Sequence, residues 1–160
     1  MRRQEGMRWA GRQKGAAAIE FGLLFVLFFV VFYALVSYAM AMLLQESFQH
    51  AAEEGARAAI AVDNLAFASN GAYQTNVESQ ARTTVGNSLS WLPAGIKTQV
   101  LGTGNSNVQF SWGGSNSLTV TVIYAGYTTN PLMPVLTFPG IGQVPRLPTN
   151  LVGRAVIQLG

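Results

Sequence analysis

The chain of 160 residues contains no cysteine, a single histidine and few charges. Without cysteine there is no disulfide framework, no thiol nucleophile and no thiolate metal site. Its absence leaves the compartment open. Charged residues are 11% of the chain, against about 25% in an ordinary soluble domain. Hydrophobic residues are 49%, a balance that argues for a membrane segment. The net charge of +3 is unevenly placed. Arg2, Arg3, Arg8, Arg12 and Lys14 face only Glu5 in the first fifteen residues, and the remainder is nearly neutral. A nucleic-acid binder gathers basic groups on a folded face, so no nucleic-acid partner is expected. No serine stands in a nucleophile elbow, and Gly102-x-Gly104 lacks the third glycine and the helix of a dinucleotide site. The expectation is a protein that is not an enzyme, with no catalytic residue and no cofactor.

What the chain does have is Phe21 to Leu44, a run of 24 residues without a charge. As a helix it spans roughly 36 Å, against about 30 Å of bilayer hydrocarbon. The run carries no polar stripe at helical period, so such a helix is covered on every side, by lipid or by other helices. The basic flank is N-terminal, which keeps that end cytoplasmic and sends the rest of the chain outward. Gln45 to Val62 is alanine-rich and free of proline. Phe48, Ala52, Ala56, Ala59 and Ile60 recur near helical spacing there. One helix from about Ala16 to Val62 is predicted, stopping at Asp63-Asn64.

A second, shorter helix is predicted from about Tyr73 to Leu89, where Val77, Ala81, Val85 and Leu89 recur every fourth residue. From Pro93 onward the pattern reads as strands: Lys97–Leu101, Val108–Trp112, Leu118–Tyr124 and Leu151–Leu159. Five of the six prolines fall between Pro131 and Pro148, which predicts an irregular loop. The fold class is therefore α+β: a long N-terminal transmembrane helix, a short helix, and a small antiparallel sheet of three or four strands. The predicted organisation is a basic leader at 1–15, a helical region at 16–62 with the span at about 21–44, and a small extracytoplasmic domain at 63–160.

The junction between leader and span is the informative segment. A basic stretch ends at Gly15, Ala16-Ala17-Ala18 follow, and Glu20 stands beside Phe21 at the mouth of the run. An ionised acid at mid-bilayer costs about 2.5–3.5 kcal/mol on insertion scales, less near the interface. It therefore wants a partner. A cut after Gly15 would supply one, the α-amine of Ala16, with a reference pKa of about 7.7–8.0. At about 4 Å and an effective dielectric near 20, the two attract by about 4 kcal/mol before desolvation.

This arrangement resembles the processing signal of type IV pilins and pseudopilins, in which a prepilin peptidase cuts after glycine and glutamate is the fifth mature residue. Counted from Ala16, Glu20 is the fifth. GAAAIEFGLLFVLFF followed by AAEEGARAAIAV is more narrowly similar to the TadE-like proteins, minor pilins of the Flp, or tight-adherence, pilus. Phe21 departs from the Glu-Tyr pair of the major Flp pilins and favours a minor subunit. The resemblance implies cleavage between Gly15 and Ala16 and a role in assembly for Glu20 and Phe21. It also implies an inner-membrane stage followed by the pilus or cell surface. Its expected partners are the prepilin peptidase, other Flp, TadE or TadF-like pilins, and the inner-membrane assembly platform. Glu20 would pair with the amine of a neighbouring subunit or, being four residues on, with that of its own helix. A permanently anchored single-pass protein with an extracytoplasmic binding domain is the alternative.

Several further signals have plainer readings. Ala39-Met40-Ala41 imitates a signal-peptidase site, with Met42 the first residue after it, but the apolar run is far longer than the roughly 7–15 residues of an ordinary signal core. His50 has Glu46, Glu53 and Glu54 at helical spacing. One histidine without a second nitrogen or sulfur ligand is a weak metal site, so a polar patch is favoured and no metal is expected. Trp91, Phe110 and Trp112 suggest either an adhesive surface or, preferentially, core filling. The apolar residues of the proline-rich loop imply that it folds back over the sheet or docks a partner pilin.

Overall fold

A computed structural model describes residues 12–138 and 142–159. Its elements are α1 (Arg12–Ile60), α2 (Asn70–Ser88), α3 (Ala94–Leu101), β1 (Gln109–Gly113), β2 (Ser117–Tyr124), β3 (Leu136–Phe138), β4 (Gly142–Val144) and β5 (Leu151–Gln158). The fold is α+β: a long apolar N-terminal helix, two shorter helices, and antiparallel sheets of three and two strands. The chain forms two compact units. One holds α1 up to Tyr38 together with Val135–Pro145. The other holds Ala39–Pro134 and the C-terminal segment from Arg146.

In the first unit the helix is almost bare. Phe21, Leu23, Leu24, Phe25, Val26, Leu27, Phe28 and Val31 are all more than half exposed. The aromatics stack along the helix one turn apart, Phe21 on Phe25 and Phe28 on Phe32. Between Gly15 and Tyr38 only Val30, Tyr33, Ala34 and Val36 are half-buried, and Ser37 is buried. The same unit contains the hairpin of β3 and β4, paired from Leu136↔Val144 to Phe138↔Gly142. Here the prediction of an irregular loop is corrected. Prolines 134 and 145 flank the two short strands without interrupting them, since a proline breaks a ladder only at a position that must donate to it.

The second unit is built on the rest of α1. Ala41, Leu44, Phe48, Ala51, Ala52, Ala56 and Ala59 form one buried stripe. The predicted stripe holds at Phe48, Ala52, Ala56 and Ala59 but not at Ile60, which is exposed at the helix end. Against the stripe lies α2, whose Val77, Ala81 and Val85 are fully buried, with Leu89 just past its end, as their spacing predicts. Its start is fixed by Ser69, whose hydroxyl accepts from the Ala72 N–H at 3.3 Å, an N-cap that satisfies one of the helix's orphan donors.

The expected strand at Lys97–Leu101 is instead part of α3. Pro93 begins it, with the Lys97 N–H donating to the Pro93 carbonyl at 2.9 Å. Gly102 ends it at φ +72°, a left-handed conformation that glycine adopts without penalty. Proline before and glycine after frame a helix more strongly than five residues without a two-residue period argue for a strand.

The three-stranded sheet has the order β1-β2-β5, antiparallel throughout. Along β2, Leu118, Val120, Val122 and Tyr124 are buried and the residues between them half-buried. On β5 the inward positions are Leu151, Gly153 and Ala155, while Val152, Arg154 and Val156 face outward. Gly153 meets α1 directly: a Cβ there would fall on the backbone of Phe48 and Gln49. Beside it, Gln49 Nε2 donates to the Arg154 carbonyl at 3.0 Å, and the Arg154 N–H donates to Gln49 Oε1 at 3.0 Å. A side-chain amide thus stands in for a strand partner at the sheet edge.

Candidate functional site

The junction at the N-terminal end of α1 is helical from Arg12 onward, so Gly15, Ala16, Glu20 and Phe21 all sit on one continuous helix. Gly15 has nothing within 4 Å of the position its Cβ would occupy. Ala16 and Glu20 are exposed, and Phe21 is 69% exposed. Helical geometry puts Ala16 and Glu20 on one face, a turn apart. Among the described residues, Glu20 has no hydrogen-bonding or ionic partner.

This geometry has chemical consequences. In the helix, the bond between Gly15 and Ala16 is shielded by the backbone ladder, and a protease would have to unwind that turn. Glycine makes this easier, costing a helix roughly 1 kcal/mol relative to alanine. After such a cut, Ala16 becomes the first helical residue. The first four N–H groups lose their partners, and the positive end of the helix dipole joins the amine's own charge. A carboxylate one turn along is then favourably placed. Most of the predicted leader, including Arg2, Arg3 and Arg8, lies outside the described residues.

In the second unit, the sequence-predicted groups separate into three environments. His50 and Glu46 line a shallow groove of about 290 Å³ with Leu43, Ser47, Ser88 and Trp91. Glu53 does not join them but accepts from Gln49 Nε2 at 2.9 Å. Among the described residues, no three His, Asp or Glu side chains gather as a metal site would require. Phe110 and Trp112 pack against the core. Arg82 stacks over Phe110 at 4.9 Å from its centroid, and Trp112 Nε1 donates to Glu78 Oε1 at 2.8 Å. Trp91 alone of the three aromatics stays out of the core, 53% exposed.

Sequence reasoning missed Arg82, which ties α2 to the turn before β1. Its Nη1 donates to the Asn105 carbonyl at 2.7 Å and to the Val108 carbonyl at 3.2 Å. It missed Gln49 and Gly153 too, because nothing in either segment alone indicates that the two meet.

Among the described residues, one helix is long and apolar enough to cross a membrane, and none of the residues in its most apolar window is buried. A bare apolar helix leading into a small α+β domain fits the class of membrane-anchored pilins. Within that class, the model of the TadE-like protein family matches residues 15–57. The match covers about a quarter of the chain and bears out the resemblance read from Gly15 and the residues after it. That family points to association with the Tad pilus. Comparison with curated proteins and with solved structures gave no match.

Proposed function

We propose that the protein is a minor pilin of a Flp-type pilus, anchored in the inner membrane by α1, cut after Gly15 by a prepilin peptidase, and assembled into the fibre or at its tip. One observation carries this reading: the stretch matching the TadE-like family contains Gly15, Ala16 and Glu20 on a helix that nothing among the described residues covers there. An apolar surface of that extent requires lipid or neighbouring helices.

Chain length supports the same reading. Between Glu20 and Ala41, the first fully buried core residue on α1 of the second unit, lie the twenty residues Phe21 to Met40. At 1.5 Å per residue they measure about 30 Å, the hydrocarbon thickness of a bilayer. Ala41 and Leu44 belong to the domain core, and this reading ends the lipid-facing segment near Met40. The basic leader holds the other end on the cytoplasmic side. Leaving the membrane, α1 exchanges lipid for the helices of neighbouring pilins, and Glu20 meeting a free amine sets the axial register. The mechanism is assembly, with no catalytic step.

N-terminal sequencing of the mature protein, from cells with and without active prepilin peptidase, tests the proposal. The expected first residue is Ala16 in the first case, and in the second the residues before Ala16 should remain attached. An intact leader in cells with active peptidase, or a first residue at Met42, refutes it.

A further inference from the structure

We propose that Trp91 is an interfacial anchor, holding the side of the domain around Leu43 in the headgroup layer of the outer leaflet. The inference rests on the membrane reading above and extends it to the second unit.

Trp91 follows α2 in a tight turn. The Ser90 N–H donates to the Asn87 carbonyl at 3.1 Å, and the Leu92 N–H donates to the Leu89 carbonyl at 3.2 Å. Leu89 is fully buried and Leu92 is 5% exposed. A large aromatic pinned between two core leucines and still pointing outward is held there by the backbone, not left there by loose packing. Its surroundings are apolar on one side: Trp91 shares its groove with Leu43, and Met40, Met42 and Leu43 are all exposed along the same helix. Of the groove's polar groups, Glu46, Ser47 and His50 lie further along α1 and Ser88 is the last residue of α2.

Depth decides between lipid and water. If the hydrocarbon ends near Met40, Leu43 stands about 4.5 Å beyond it along the helix. The headgroup layer is about 5–7 Å thick on each side of the bilayer. Leu43 and the ring beside it therefore fall within that layer. Tryptophan is enriched there because its ring is apolar while its indole N–H keeps a polar partner. The exposed methionines and Leu43 are continuous with the apolar helix, so lipid is the occupant that needs no second binding surface.

The test uses the full chain reconstituted in phosphatidylcholine vesicles, with Trp9→Phe and Trp112→Phe leaving Trp91 as the only tryptophan. Lipids brominated near the headgroup end of the acyl chain should quench Trp91 more than lipids brominated near the chain end. Its emission should also lie to the blue of a water-exposed indole. A companion variant adding Leu27→Trp and Trp91→Phe reports the middle of the span and should show the opposite preference. If Leu27→Trp is quenched but Trp91 is not, the anchor is overturned while the membrane reading stands. If neither is quenched, both fall. Because Trp112→Phe removes a hydrogen bond, a second measurement uses the absence of cysteine. A spin label on Ser90→Cys, with all three tryptophans retained, should be more accessible to a headgroup-bound nickel chelate than to oxygen. Equal access to a water-soluble nickel complex would overturn the proposal, as would protection seen only in the presence of a second pilin.

Discussion

Replacing Gly153 with valine should separate α1 from the sheet that it supports. The inner face of β5 approaches the helix so closely that even one methyl group at this position would meet the Phe48 carbonyl. Backbone, unlike a side-chain tip, has no rotamer with which to yield, so the strand must move. Overpacking of this kind costs about 1–3 kcal/mol. Moving the strand also breaks the paired bonds between Gln49 and the Arg154 backbone, worth about 1 kcal/mol each. The sum, about 3–5 kcal/mol, is a large share of the roughly 5–15 kcal/mol that holds a typical domain. Chemical unfolding of the full chain in detergent micelles, followed by tyrosine and tryptophan signals of the domain, reads it directly. Gln49→Ala should cost about 1–2 kcal/mol, since it removes only the bonds and the freed edge groups can take water. Gly153→Ala should fall between the two variants. If Gly153→Val unfolds at the same denaturant concentration as the parent, the close approach of α1 and β5 is not a source of stability and the reasoning fails.

Other outcomes follow from the site and the core. Glu20→Ala should insert in the membrane and be cut after Gly15, yet be missing from sheared pili. Its normal incorporation would count against an amine–carboxylate pair worth about 4 kcal/mol before desolvation. Arg82→Ala should lose two hydrogen bonds to carbonyls and the contact with Phe110, together about 2–4 kcal/mol. Arg82→Lys should recover only part of this, because an ammonium lacks the planar fork, and equal stability of the two variants would contradict it. Burial raises the hydroxyl pKa of Tyr124, with the neighbouring Tyr127 adding to it, and burial likewise raises that of Tyr127. A raised acid favours its neutral form in the fold. This contribution is therefore intact below the ordinary value of 10.0 and is lost as pH climbs through the folded values. Unfolding midpoints that stay flat across that alkaline range would refute it.

The helices are legible where their periodicity is long. Val77, Ala81, Val85 and Leu89 announce one face of α2, and the structure buries all four. Strand β2 is legible because Leu118, Val120, Val122 and Tyr124 recur every second residue, and the structure buries all four. What local pattern misreads is short. Lys97–Leu101 is only five residues, three polar followed by two apolar, too few to outweigh the Pro93 and Gly102 that frame α3. Leu136–Phe138 and Gly142–Val144 are three residues each, so their pairing lives in the register between them and not in either segment. The contact of Gln49 with Arg154 spans 105 positions, and no local pattern encodes it. The junction is the opposite case. Gly15, Ala16, Glu20 and Phe21 are informative because they lie within about two helical turns, so their spacing is already their geometry.

That contrast bears on how the molecule works. The proposed assembly would have one long helix serve two surroundings in succession, which it can do when its parts obey different rules, and here the rules change at Ala41. Before it, the side chains are large, aromatic and exposed: Phe21, Phe25, Phe28 and Phe32 lie on a surface that no described residue covers. After it, the buried residues on α1 are mostly alanine, small enough to let α2 and β5 approach the helix axis. Alanine stripes fix a single arrangement, because close backbones tolerate little rearrangement. Phenylalanine on a bare helix fixes none and accepts lipid or another helix equally well, since a lipid tail is as apolar as a side chain. If the helix leaves a bilayer for a fibre, as proposed, the hydrophobic cost would be small when neighbouring helices replace the lipid, and apolar contact alone would supply little register. In the proposed assembly the register would come from a polar group at a defined height, and Glu20 is the only charged side chain between Ala16 and Leu44.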